Sequence, residues 1–442
     1  MVSLPGWNFA KSEENRTLHD NDVARGNGAM PAMLRLRRVC GTADAAQKEF
    51  QPIQRSADTT QDAGKREGTD IALERAALRL LTEGGLLAGI TMQQVGEEAG
   101  VAKGLVYHYF GDRRALLRSA LRHGAMELQE MIRAIPYSSY HRRMAALAKA
   151  ALAHPAAVQL MTLLLIDRDP RLIIMPLRGL IMETFERDVR EGHMPANADF
   201  QALLGVQNSL VYGYVLLRDG LARQMRLERQ ALDTRFVRFV STVGRQAATA
   251  DWSSPQRLFP PPPKRTITTD SGARGLLAAA VVDLLDEQGI LGGVNLRNVA
   301  ERAGVHRGLV YHHFGSRREL LLAALRMYLP DAQPITSDGG VSGDRLFAAG
   351  VRDNQPARLL ALLALDGDGS YEPFGEMAGR KPPSTREMAG ACFAWGHALF
   401  RQAFSTEMGI PPRQWDQRVF AAWSLVTATP RAATRPPGSP PD

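Results

Sequence analysis

The residues best suited to chemistry are cationic and aromatic side chains that occur twice in the same order. They are Lys103, Gly104, Tyr107 and His108, and then, 204 positions later, Arg307, Gly308, Tyr311 and His312. A lysine or arginine at the start of a helix can donate to O6 and N7 of guanine in the major groove. A tyrosine hydroxyl can donate to a phosphate, and a glycine lets the backbone approach DNA closely. The pattern therefore predicts two helices that bind double-stranded DNA.

Each of these helices follows another short helix and a tight turn. In the first copy Thr91 is a suitable N-cap, and Gly100 can adopt the left-handed conformation that ends a helix. The second helix then starts near Ala102 and directs Leu105 and Val106 inward. The equivalent cap and turn residues of the second copy are Asn295 and Gly304. Two short helices joined in this way form a helix-turn-helix.

The repeat extends well beyond these helices. Between Val95 and Leu117, 16 of 23 residues are identical to those 204 positions later, without a gap. Further along, HPAAVQLMTLLLID resembles QPARLLALLALD, VYGYVLLRDGLARQM resembles CFAWGHALFRQAFSTEM, and LDTRFVRFV resembles WDQRVFAAW. The second copy is about twenty residues shorter between the first two of these landmarks. The whole unit is therefore duplicated.

The two heads resemble the Tet repressor family. Thr91–Leu116 and, with Asn for the leading Thr, Asn295–Leu320 resemble its motif T-x-x-x-[IV]-A-x-x-A-G-V-[ST]-x-G-x-[LV]-Y-x-[YH]-F-x-[ST]-[KR]-x-x-L. The first head also departs from the motif at Gly96, where Ala is usual, and at Asp112, where Ser or Thr is usual. The resemblance implies base-edge contacts by Lys103, Gly104, His108, Arg307, Gly308 and His312. It implies phosphate contacts by Thr91, Tyr107, Tyr109, Arg113, Asn295, Tyr311, His313 and Arg317. Where the family usually has Ser or Thr, this chain has Ala102 and His306, so we expect the two heads to differ.

The resemblance also implies that each head is followed by a helical core that dimerises and binds a small effector. Candidate pocket residues in the first core are Met161, Met182, Phe185, Asn208 and Tyr212. The alternative is that these side chains are ordinary core residues, because Met and Phe at helical spacing are mostly that. The second core contains DGDGSYEPFGEMAGRKPPST where the first has a long helix, which puts its pocket in doubt.

The long helical patterns and the near absence of strand alternation predict an all-α fold of two tandem units. The expected ranges are a disordered tail 1–67, a head 68–124, a core 125–250, a Pro-rich linker 251–271, a second head 272–327, a shortened core 328–425 and a disordered tail 426–442. Four consecutive prolines in the linker favour an extended polyproline segment.

The composition indicates the cellular compartment and the charge of the binding partners. With 54 Lys and Arg against 46 Asp and Glu, the chain has a formal net charge of +8, which favours an anionic partner. Cys40 and Cys392 cannot form a disulfide framework, so a reducing compartment is expected. No apolar run approaches the ~18 residues of a membrane span, and the N-terminus lacks the features of a secretory signal. We expect a cytoplasmic protein without membrane association.

Signals for other chemistry are weak. The adjacent pair His312 and His313 would not face one metal ion, because neighbouring residues on a helix point in different directions. There is no phosphate-cradling glycine loop, nucleophile elbow or acid pair. We therefore predict no enzyme activity, no metal and no cofactor.

These features predict a ligand-responsive transcriptional repressor in which one chain forms an intramolecular pseudo-dimer. Its two heads would read a near-palindromic operator with unlike half-sites, and the protein could then act as a monomer. Activation instead of repression stays open. One alternative is a ligand-binding or protein-binding module that has lost DNA binding. Another is a DNA-binding protein that dimerises between chains and carries four heads.

Overall fold

The structure is a computed structural model of the chain. It describes residues 60–84, 90–254, 256–261, 272–292, 294–328, 342–365, 371, 373–374 and 382–428. Within these ranges the chain forms helices, turns and coil without any strand, which confirms the predicted all-α fold for this part of the molecule. The sequence before residue 60 and after residue 428, and most of the predicted linker, lie outside the described residues.

The first head consists of three helices and the first turns of a long fourth helix, which connects the head to the first core. These are α1 (Thr60–Gly84), α2 (Met92–Ala99), α3 (Lys103–Phe110) and α4 (Arg113–Arg133). Helix α1 begins inside the predicted tail 1–67. Its first turns are polar, and the apolar residues that reveal a helix in the sequence start only at Leu73. The boundary of the tail was therefore placed too late.

Five helices form the first core. They are α5 (Tyr140–Ala153), α6 (Pro155–Ile166), α7 (Arg178–Arg190), α8 (Phe200–Gln224) and α9 (Arg229–Thr249). Most residues of α8 are buried on every side of the helix. A helix that is apolar all round lies inside a protein, so α8 is the central helix of this core.

The second half repeats this order with fewer helices. It contains α10 (Ala273–Gly292), α11 (Leu296–Ala303), α12 (Arg307–Phe314), α13 (Arg317–Tyr328), α14 (Gly343–Arg352), α15 (Gln355–Leu365), α16 (Thr385–Met408) and α17 (Pro412–Thr427). Among the described residues, the second core has no counterpart of α7, in agreement with its shorter sequence. Helix α16 is its buried central helix.

The two cores pack against each other through α8 and α16, the pair of helices that the repeat predicts as the contact. A β-carbon added at Gly213 would lie 2.0 Å from the carbonyl oxygen of Cys392. A β-carbon added at Gly396 would lie 1.9 Å from the carbonyl oxygen of Ser209. Only glycine permits helix backbones to approach this closely. The two glycines, 183 positions apart, make equivalent contacts in the two cores.

The same shift of 183 positions relates a buried polar cluster in each core. In the first core the hydroxyl of Tyr214 donates to Asp233 at 2.7 Å, and Arg218 lies 3.9 Å from that carboxylate. In the second core the equivalent residues are His397, Asp416 and Arg401. There Nε2 of His397 lies 2.9 Å from Oδ1 of Asp416, and Arg401 donates to both carboxylate oxygens. The duplication therefore extends to buried side-chain hydrogen bonds.

Each core also sends a loop across the contact. In the first core the backbone N–H groups of Ile174 and Met175 donate to Glu407 at 2.6 and 3.0 Å. In the second core the N–H of Phe374 donates to Gln224 at 3.1 Å. These crossing hydrogen bonds join the end of one central helix to a loop of the opposite core.

The described part of the linker packs on the second core. The ring of Phe259 lies 5.7 Å from that of Phe347 and 5.9 Å from that of Phe420. Arg257 forms an ion pair with Asp344 at 2.7 Å. A prediction from proline content alone missed this anchor, because the aromatic residue that forms it stands just before the prolines.

None of the described helices is by itself long and apolar enough to cross a membrane, although the bent pair α5 and α6, with 83° between them, passes the same test together. The described residues contain no group of three or more His, Cys, Asp or Glu side chains that could hold a metal ion.

Candidate nucleic-acid interface

In the first head the helix-turn-helix is stabilised by local hydrogen bonds at both ends of α2. The hydroxyl of Thr91 accepts from the N–H of Gln94, whose side chain accepts from the N–H of Thr91 in return. This capping box satisfies two of the free N–H groups at the start of the helix. At the other end Gly100 has φ 71° and a left-handed conformation, and Val101 donates back to Gly96 at 2.8 Å. The turn therefore directs α3 away from α2.

The second head repeats these features. The side chain of Asn295 accepts from the N–H of Asn298 at 2.9 Å. Gly304 ends α11 with φ 66°, and Val305 donates to Ala300 at 3.0 Å. Both turns are as predicted, since they follow from short-range sequence signals.

Helices α3 and α12 present most of their side chains outward. The exposed residues that were predicted to face DNA are Lys103, Gly104, Tyr107, His108, Arg307, Gly308, Tyr311 and His312. The caps Thr91 and Asn295 are exposed too. Four further predicted residues are half-buried: Tyr109, Arg113, His313 and Arg317.

Fewer residues of α3 and α12 are buried than the sequence indicated. Val106 and Val310 are buried, but Leu105 is 37% exposed, so the prediction that it points inward was wrong. An eight-residue helix has about two turns and can direct only a narrow stripe toward the core. The equivalent Leu309 is exposed to the same extent.

The cation and the tyrosine of each helix lie side by side. Nζ of Lys103 lies 5.8 Å from the centre of the Tyr107 ring. The guanidinium carbon of Arg307 lies 5.8 Å from the centre of the Tyr311 ring. A cation at this distance from an aromatic face is weakly attracted to it. In both heads a positive charge therefore lies beside a tyrosine ring on the exposed face.

The starts of the two helices differ. Ala102 makes no side-chain cap, whereas Nδ1 of His306 accepts from the N–H of Gly308 at 3.2 Å. A β-carbon at Gly104 would meet nothing within 4 Å, but one at Gly308 would lie 3.1 Å from the His306 ring. The two heads therefore differ at the N-cap of the recognition helix, where the sequence predicted a difference.

Two arginines at the start of α4 turn toward the protein. Nε of Arg113 donates to the carbonyl of Ile90, in the segment that leads into α2, and burial lowers the pKa of this guanidinium. The adjacent Arg114 pairs with the buried Asp167 of the first core. The sequence did not indicate this orientation, because both partners come from other segments.

The candidate effector residues belong to the interior of the first core. Phe185 packs on Tyr140 and Phe200 with ring centres 5.2 and 4.8 Å apart, whereas Tyr212 packs on Phe400 of the second core at 5.4 Å. The remaining candidates are Met161 and Asn208, both buried, and Met182, which is half-buried. Such contacts are also typical of ordinary core residues, so the pocket stays a prediction.

Tyr140 is a further residue of interest that the sequence analysis missed. Its hydroxyl is buried and has no hydrogen-bond partner among the described residues. Burial raises the pKa of this hydroxyl. A buried donor without a partner is uncommon. The sequence gives no signal for it, because Tyr140 and Phe185 are brought together only by the packing of α5 and α7.

Comparison with known proteins supports the reading of the two heads. Residues 74–120 and 276–324 each match the family model described as bacterial regulatory proteins, tetR family. The chain thus contains two tandem segments that match this family model.

The relatives are helix-turn-helix regulators. The HTH-type transcriptional regulator BetI of Burkholderia lata is 37% identical over 83 residues, which are 19% of this chain and 39% of that protein. The proteins of the same name from Burkholderia thailandensis and Burkholderia cenocepacia are 40% identical over 65 residues, 15% of this chain and 33% of each relative. The chain therefore spans about two fifths or less of the curated relatives that it matches.

Proposed function

We propose that the protein is a DNA-binding transcriptional regulator that reads one operator with two heads of a single chain. The observation that carries this proposal is the matching pair of exposed recognition helices, each with a cation beside a tyrosine ring. A positive side chain supplies a donor for a base edge, and the hydroxyl supplies a donor for phosphate. The relatives are transcriptional regulators and not enzymes, and we propose no catalytic role for this protein.

We assign the DNA contacts to the exposed and half-buried residues that the family resemblance implies. Base edges would be contacted by Lys103, Gly104, His108, Arg307, Gly308 and His312. Phosphates would be contacted by Thr91, Tyr107, Tyr109, Arg113, Asn295, Tyr311, His313 and Arg317. Arg113 already donates to a backbone carbonyl through Nε, so its remaining N–H groups would serve this purpose.

The packing of α8 on α16 supports a single-chain pseudo-dimer. Dimeric helix-turn-helix proteins bind half-sites about one helical turn, roughly 34–36 Å, apart. Here both heads belong to one chain, and Lys103, Ala102 and Tyr109 in one correspond to Arg307, His306 and His313 in the other. We therefore propose a near-palindromic operator whose half-sites differ.

We further propose that the protein acts in the cytoplasm as a repressor that a small, largely apolar effector releases from DNA. The effector would bind in the first core beside Phe185, where the hydroxyl of Tyr140 offers an unused donor. A ligand that favours one arrangement of the heads shifts the population away from the arrangement that fits DNA.

Selection of binding sites from random DNA by the purified chain tests the main proposal. With the selected site, Lys103→Ala and Arg307→Ala should each weaken binding by about 1–3 kcal/mol, at different half-sites. Arg238→Ala, which removes an exposed charge from α9, is the matched control and should change affinity little. If no site is enriched, or if neither head variant weakens binding across a range of salt concentrations, the proposal fails.

A further inference from the structure

A short turn of the first core lies against the second head. The turn follows α6 and contains Asp167 and Arg168, the latter with φ 55°. It faces Gly289 of α10, where the helix is kinked with φ 70° and ψ −174°. A β-carbon added at Gly289 would lie 2.7 Å from Oδ1 of Asp167 and 2.9 Å from its Cα. The two backbones are therefore in direct contact.

The first head is attached to the same turn. The buried carboxylate of Asp167 accepts from Nε of Arg118 at 2.8 Å and from Nε of Arg114 at 3.3 Å. Arg114 also donates to the carbonyl oxygen of Gln288 in the second head at 3.1 Å. Since a buried carboxylate is strongly destabilised when its partners are removed, the turn and α4 must move together. Arg114 thus connects the first head with the first core and the second head.

The second core contacts α10 at Asp286, one turn before Gly289. Arg168 pairs with Asp286 at 3.1 Å. The carboxylate of Asp286 also accepts from Gln355 and Arg358 of α15, and Arg358 donates to the carbonyl of Leu285 at 2.8 Å. Asp286 therefore stands where the second head meets both cores.

The charged residues of the Asp286–Arg358 contact are not repeated in the sequence of the first half. The positions aligned with Asp286 and Arg358 hold Thr82 and Ala157, neither of which is charged. The duplication alone therefore does not produce this ionic contact.

We propose that Arg114, Arg168 and Asp286 are positioning residues that set the distance between the two recognition helices. The turn after α6 holds the second head to the first head and to the first core. The consequence for DNA rests on the proposed function, but the positioning itself does not.

Distance measurements between spin labels test the positioning without DNA. Labels are attached to cysteines that replace Glu97 of α2 and Glu301 of α11, which are exposed and equivalent in the two heads. Cys40→Ser removes one natural thiol, and Cys392 is buried and should not react. The parent should give one narrow distance distribution. Arg114→Gln combined with Arg168→Gln should widen it at least about twofold.

The matched control combines Arg142→Gln with Arg171→Gln, which removes two charges from exposed positions of the first core. It should leave the width unchanged. The single variant Arg168→Gln keeps the Asp167 carboxylate paired, so it gives a folded test if the double variant unfolds. It should widen the distribution by a smaller amount. Equal widths in the parent and in every folded Arg114 or Arg168 variant would overturn the proposal.

A second readout uses the selected operator with its half-sites moved apart or together by one base pair. The parent should lose at least about tenfold in affinity, and the double variant less than about threefold. Equal losses would count against the positioning role. If the parent binds no DNA but the distance distribution widens as expected, the proposed function fails while the positioning role stands.

Discussion

The backbone of Gly213 packs directly on the backbone of Gly396, and each glycine approaches the carbonyl four residues before the other. In a symmetric dimer, two copies of one surface make such a contact with each other. Here the two surfaces lie in one chain, so the contact is made within the molecule.

Substitution of Gly213 should lower the stability of the protein. Gly213→Ala introduces a methyl group 2.0 Å from a backbone oxygen, so α8 and α16 must separate. We expect the free energy of unfolding to fall by about 3 kcal/mol, measured by denaturant titration. Gly179→Ala, where a β-carbon meets nothing within 4 Å, is the control and should change stability by no more than about 1 kcal/mol. Similar values for both variants would contradict the close contact.

The oligomeric state provides a second test. If α8 and α16 bury each other's contact surface, the chain should sediment as a monomer of 48.4 kDa at micromolar concentration. A species of twice this mass would favour an assembly with four heads.

The uncapped start of α3 predicts a stabilising substitution. Ala102 has extended backbone angles but no side-chain acceptor. Ala102→Ser should cap α3 and raise the stability of the first head by about 1 kcal/mol, measured by hydrogen exchange of its amides. Ala102→Val, which adds bulk without an acceptor, should not. The interpretation is wrong if the two variants behave alike.

The buried His397 of the second core predicts that the stability of the protein depends on pH. Burial lowers the pKa of His397 despite the hydrogen bond with Asp416. The unfolded chain therefore takes up a proton below about pH 6.5 that the folded chain does not, and stability should fall as the pH falls from that point toward the lowered pKa.

The loss should amount to at most about 1.4 kcal/mol per pH unit for one proton. His397→Gln keeps a donor for Asp416 and should show a smaller loss between pH 7.5 and 5, measured by chemical denaturation. An unchanged slope would exclude His397 as the source.

The tyrosines on the recognition helices predict a loss of DNA affinity that does not depend on sequence. Tyr107→Phe and Tyr311→Phe each remove one hydroxyl, and we expect about 1.5 kcal/mol, or roughly tenfold, weaker binding to every site tested. Tyr137→Phe removes a hydroxyl from the first core, where it donates to Asp188, and serves as the control. Equal affinities for all three variants would argue against a phosphate contact.

Much of each head could be predicted from short stretches of sequence. Thr91, Gly100 and their equivalents form the caps and turns that were expected, because these signals act between residues that are close along the chain. Leu105 was misplaced, since the width of the buried stripe depends on what packs against α3. The start of α1 was placed too late, because polar turns carry no apolar periodicity.

The interaction partners of charged residues could not be predicted. Arg113 and Arg114 are adjacent in a motif that suggests DNA contact, yet one bonds to Ile90 and the other to Asp167. Nothing near them in the sequence identifies these partners. The fold of the head brings Ile90 to Arg113, and the packing of α4 on α6 brings Asp167 to Arg114.

The sequence by itself determined that the chain is all-α, that it is a tandem repeat, and that each copy begins with a helix-turn-helix. Periodicity, capping residues and identity between the copies are local properties, so a single sequence is enough to read them. Only the tertiary structure decided that Gly213 meets Gly396 and that Asp286 joins the second head to both cores. Those contacts link segments far apart in the chain, and they exist only where helix packing brings the backbones together.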